Sequence, residues 1–115
     1  TDPDYCYILS AELLMLLATD RRTLEMLQSV HGVKTIFLVI NNVIGLLYSL
    51  DIVTNGAKAM VRKFGSHGLH MALATVLNKI LNLVSLNNIS HETTKILILL
   101  KVEQEKKVFN SPQRK

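Results

Sequence analysis

Four histidines, one cysteine and a scatter of serines and carboxylates are the residues of this 115-residue chain whose types could do chemistry. His67 and His70 stand three apart, a spacing that can bring two imidazoles to one helical face and would suit a divalent metal. No cysteine or carboxylate lies close by in sequence to complete such a set. His67 also belongs to Gly65-Ser66-His67-Gly68, a run that reads as a turn. That run is glycine-rich but lacks the Lys-Ser/Thr of a phosphate loop. His91-Glu92 begins like a zincin helix, yet the run HETTK has no second histidine where the metal would need it. Ser10, Ser85 and Cys6 have no base and orienter around them, and no carboxylates pair at a spacing suited to acid/base work. Cys6 reads as a small buried hydrophobe. Met15, Met26, Met60 and Met71 read as core packing. These patterns predict no catalytic residue, no metal site and no cofactor.

Composition sets the elements that would position any site. Hydrophobic residues are 49% of the chain, aromatics only 5%, and Trp is absent. An interior of Leu, Ile, Val, Ala and Met, with two prolines and five glycines, favours helix on helix over a β-sandwich. The net charge is +4, with cations at Arg21-Arg22, Arg62-Lys63 and from Lys101 onward. That balance suits solvated helix faces and attraction to acidic partners. Nucleic-acid binding would want a denser basic stripe or interleaved aromatics, and neither is present. One cysteine and no visible signal peptide point to an intracellular setting, cytoplasmic or nuclear. Residues 35–50 carry no formal charge, but the run is short for a membrane span and Asn41-Asn42 interrupts it.

The periodicity predicts six to seven helices. Asp2-Pro3 marks a helix start. Residues 5–18 are apolar on most of the circumference, which predicts burial on all sides. Residues 20–30 read as a short helix with Leu24 and Leu27 inward, stopped by His31-Gly32. A third helix covers 33–40, with Asn41-Asn42 a turn or a tolerated break. Residues 43–64 carry a stripe of Ile44, Leu47, Leu50, Val53, Ala57 and Val61, broken near Asn55-Gly56. A long helix is predicted from Leu69 to Leu86, closed by Asn87-Asn88. Ser90 caps a last helix with Ile96, Leu97, Leu99, Leu100 and Val102 inside.

His31-Gly32-Val33 recurs as His67-Gly68-Leu69, 36 residues on. Registering these pairs aligns Val33, Phe37 and Ile40 with Leu69, Leu73 and Val76, a recurrence in the range of helical repeats. The order of helix, short helix, glycine turn and helix, stated twice, resembles the armadillo repeat family. Within that likeness, 29–40 looks like the end of a first helix, the turn and a second helix, and 50–57 like the end of a third. Asn55 then matches the position at which the family carries an asparagine lining its concave groove.

The resemblance implies an all-α, armadillo-like α-solenoid fragment over residues 1–109, part of a longer array, with a basic disordered tail at 110–115. It implies a non-catalytic scaffold that binds another protein by its repeat surface, through Asn55, Lys58 and Arg62, with an acidic peptide segment as ligand. The apolar ends of so short an array would also seek a second copy. Two other readings fit the length and leucine content: a compact six-helix adaptor of death-fold type, and a membrane-associated helical hairpin.

Overall fold

The computed structural model describes residues 3–48, 55–83 and 89–110. Six helices run through them: α1 (Pro3–Thr19), α2 (Thr23–Met26), α3 (Val30–Tyr48), α4 (Asn55–Phe64), α5 (Ser66–Asn82) and α6 (His91–Asn110). No strand occurs among the described residues, so the all-α expectation holds.

Local chemistry explains where these helices begin and end. Pro3 opens α1, at a position where its missing N–H costs nothing. The helix closes as Asp20 N donates to the Leu16 carbonyl at 2.7 Å. Asp20 Oδ1 then accepts from Arg22 N at 2.8 Å, an Asx turn that redirects the chain into α2. The last carbonyls of α1 are satisfied from outside the helix. Thr23 Oγ1 donates to Leu17 O at 2.7 Å, and Lys79 Nζ reaches over from α5 to Leu17 O at 2.8 Å and Ala18 O at 3.0 Å. At the other end of the chain, Ser90 caps α6 as expected, its Oγ accepting from Thr93 N at 3.1 Å.

Several expected boundaries move. The short helix predicted over 20–30 contracts to the four residues of α2. His31-Gly32 does not stop a helix; it lies in the first turn of α3. The reason is Ser29, whose Oγ accepts from Gly32 N at 2.9 Å and so caps a helix starting one residue later. Gly32 is therefore present for close approach, not for a left-handed turn. A Cβ there would lie 2.8 Å from the Met26 carbonyl carbon and closer still to its oxygen. Asn41-Asn42 interrupts nothing, because Asn42 Nδ2 donates to Ser10 Oγ on α1 at 3.0 Å and is satisfied inside a continuous α3.

The turn predicted over 65–68 shrinks to Gly65, which has φ +77° and ψ 144°. His67 and Gly68 fall within α5, which runs to Asn82; residues 84–86 of the predicted helix lie outside the described residues. Both echoed His-Gly pairs thus take the second and third positions of a long helix. Leu50, Val53 and Asn87-Asn88 lie outside the described residues.

Around α1 the fold closes, since α1 touches α3, α4 and α5. Ala11 and Leu14 of α1 meet Ile36, Ile40 and Val43 of α3 and the stripe Leu69, Leu73, Val76, Leu77, Ile80 of α5 in one core. Helix α6 packs on α5 through Leu97, with Leu100 at the margin. Several residues expected inside are not. Leu9, Leu13 and Leu16 form an uncovered stripe on α1, and Cys6 sits on the same outward side. Leu24 and Met71 are nearly half exposed. On α6, Ile96, Leu99 and Val102 point away from the core, Leu99 with 70% of its surface open.

Candidate functional site

Asn55, Lys58 and Arg62, predicted to bind a partner, all belong to α4. Their spacing of three and four residues places them on one helical face. Asn55 is the first described residue of α4, and residues 50–54, where the repeat alignment places the end of the preceding helix, lie outside the described residues. Lys58 and Arg62 are exposed. Arg62 and Lys63 occupy the last turn of α4, where cations oppose the helix dipole favourably, and Lys63 Nζ sits 5.2 Å from the centroid of the Phe64 ring.

A second group was not anticipated. Gln104 of α6 is fully buried, and its Oε1 receives two donors. Tyr48 OH, at the end of α3, donates to it at 3.3 Å. His70 Nδ1, on α5, lies within hydrogen-bond distance of the same oxygen. A carbonyl oxygen only accepts, so Nδ1 carries the proton. The Tyr48 and His70 rings meet edge-on, with centroids 5.7 Å apart. Burial pushes the Tyr48 phenol above its ordinary pKa, the Gln104 bond opposes that shift, and the Glu103 carboxylate adds to it. Gln104 Nε2 and His67 Nδ1 are buried with no protein partner. Three helices are thereby tied at one polar point. Gln104 follows Leu97 by seven residues, the return to one helical face, and that spacing is the signal that could have flagged it.

His70 also lines an open cleft of about 670 Å³ between the start of α5 and the second half of α6. Ser66 stands on one wall, with Leu99, Glu103, Lys106 and Lys107 on the other. A smaller apolar groove of about 320 Å³ lies among α1, α2 and α3, lined by Leu13, Leu16, Met26 and Val39. Among the described residues no group of three or more His, Cys, Asp or Glu could hold a metal ion. His31 and His91 stand exposed at the starts of α3 and α6.

No family model matches this chain, and no curated protein or solved structure matches it either. The arrangement itself leaves several surfaces uncovered. It provides charged side chains around an open cleft, apolar side chains around a groove, and an uncovered apolar face on each of two helices.

Proposed function

We propose that this protein is a non-catalytic interaction module, an armadillo-like stack of helices that binds another protein by its surface. The observation that carries this reading is the placement of uncovered leucines and isoleucines. Leu9, Leu13 and Leu16 on α1 and Ile96, Ile98 and Leu99 on α6 are each 40% or more exposed. Burying one such side chain in a partner is worth about 1.5–3 kcal/mol, so contiguous sets of them mark binding surfaces. The stacked arrangement is supported by the echo. Each His-Gly pair opens a long helix that follows a shorter one, α2 before α3 and α4 before α5. On this reading Asn55, Lys58 and Arg62 form a basic face toward an acidic peptide segment, and an uncovered end meets a second copy.

Light scattering across a concentration series tests the end-to-end part. Molar mass should rise with concentration for the native chain and stay monomeric for an Ile96→Glu/Leu99→Glu variant. A native chain that is monomeric throughout overturns it. Titration with a labelled oligoglutamate peptide, repeated on Lys58→Glu/Arg62→Glu, tests the basic face, and unchanged affinity would remove that assignment.

One observation favours a second reading, membrane association. Helix α3 spans 19 residues at mean hydropathy 1.6, long and apolar enough to cross a bilayer. Against it, Ile36, Val39, Ile40 and Val43 are buried in the core, and Asn42 bonds across to α1. Flotation of the chain with phospholipid vesicles would favour the membrane reading, and recovery in the vesicle-free fraction the soluble stack.

A further inference from the structure

The cleft between α5 and α6 combines features that select for a particular kind of ligand. Lys106 and Lys107 stand on one wall and Ser66 and His70 on the other. Two cations and one imidazole thus line the same opening. Helix α5 begins on this wall with no side-chain cap at Gly65, and its first N–H groups carry the positive end of the helix dipole there. Glu103 is the acidic residue lining the same cleft. Behind His70, the buried Gln104 amide keeps one donor, Nε2, without a protein acceptor. Leu99, 70% exposed, adds an apolar step on the α6 wall.

We infer that this cleft is a docking site for an acidic peptide segment, whose carboxylates pair with Lys106 and Lys107 while an adjacent apolar side chain rests on Leu99. The proposal deepens the interaction-module reading and rests on it. It moves the acidic ligand from the α4 face to the cleft between α5 and α6. Charge complementarity selects the occupant, because the donors and cations outnumber the single carboxylate in the cleft. The openness of the cleft suits an extended chain, and Leu99 suits the side chain next to an acidic one. A free anion would use the lysines and leave Leu99 uncovered.

Fluorescence anisotropy of a labelled Glu-Glu-Leu-Glu-Glu peptide against the whole chain at low salt tests this. Lys106→Glu/Lys107→Glu should weaken binding at least tenfold, and Leu99→Ser about threefold or more. Lys95→Glu, a single charge reversal at the other end of α6, should leave affinity within twofold. Circular dichroism checks that helix content is the same in each variant, and the milder Lys106→Gln/Lys107→Gln pair should show an intermediate loss. Equal losses from Lys95→Glu and the double variant overturn the site, because net charge alone would then account for binding. Competition by inorganic phosphate as strong as by the peptide, with no effect of Leu99→Ser, also overturns it in favour of a simple anion site. Loss only in Lys58→Glu/Arg62→Glu refutes the cleft and leaves the interaction-module reading standing. No peptide binding by the native chain refutes the cleft and the acidic ligand, while self-association by light scattering still judges the module.

Discussion

Lys79, in the last turn of α5, donates through Nζ to the Leu17 carbonyl of α1 at 2.8 Å, 62 residues earlier in the chain. A second bond reaches Ala18 O at 3.0 Å. One ammonium thus replaces the missing helical donors at the end of α1 and ties that end to α5, the other main contributor to the core.

Replacing Lys79 with Met keeps the stem and removes the donor. Ala18 O would lose this donor, Leu17 O would keep only Thr23 Oγ1, and with the lost charge at a helix C-terminus the change should cost about 1–2 kcal/mol. Urea denaturation should show a lower midpoint with an unchanged slope. An unaltered midpoint would mean that water serves those carbonyls equally well.

The two echoed glycines should respond oppositely to alanine. At Gly32 a Cβ would run into the Met26 carbonyl, and Ser29 Oγ lies only 2.9 Å away. Gly32→Ala should therefore lower the melting temperature clearly. At Gly68 a Cβ meets nothing within 4 Å, and the residue is helical. Gly68→Ala should stabilise by about 0.4–1 kcal/mol, chiefly by restricting the unfolded chain.

Asn42 and Ser10 should behave as a coupled pair. Asn42 Nδ2 donates to Ser10 Oγ at 3.0 Å, and Ser10 is only 5% exposed. Either single change to alanine should cost about 1 kcal/mol or more. The double variant should cost less than the sum, and a double-mutant cycle reads the difference. Strict additivity would show that the bond contributes nothing to stability.

Stability should decline in alkali through Tyr48. Its pKa is raised in the folded protein, first by burial, so the unfolded chain gives up this proton at lower pH than the native one. The native state then holds more protons, and stability falls as pH climbs past 10 toward the folded pKa. With 39% of the residue exposed, the effect is modest. Tyr48→Phe should flatten the dependence of the urea midpoint on pH above 9, relative to the native chain. An identical slope in the two proteins would assign the alkaline loss to other groups.

Much of the fold was legible because its causes are local. Pro3 and Ser90 start helices by their own chemistry, and the aliphatic composition permits little besides helix packing. Ser29 was equally readable as a cap, but the neighbouring His-Gly pair invited a turn and hid it. The face of α4 bearing Asn55, Lys58 and Arg62 follows from spacing alone. The cluster of Tyr48, His70 and Gln104 did not follow, because its members lie 22 and 34 residues apart on three helices. No local signal joins them.

The run Ile96-Leu97-Ile98-Leu99-Leu100 shows where the boundary falls. By itself the sequence determined that this stretch is apolar, helical and capped at Ser90. It could not say which side faces inward, since five aliphatic residues in succession have no polar side to set a direction. The packing of α6 on α5 decided that Leu97 is 2% exposed and Leu99 70%. Two identical side chains two residues apart are turned about 200° from each other on a helix, and only the position of the neighbouring helix makes one of them core and the other surface.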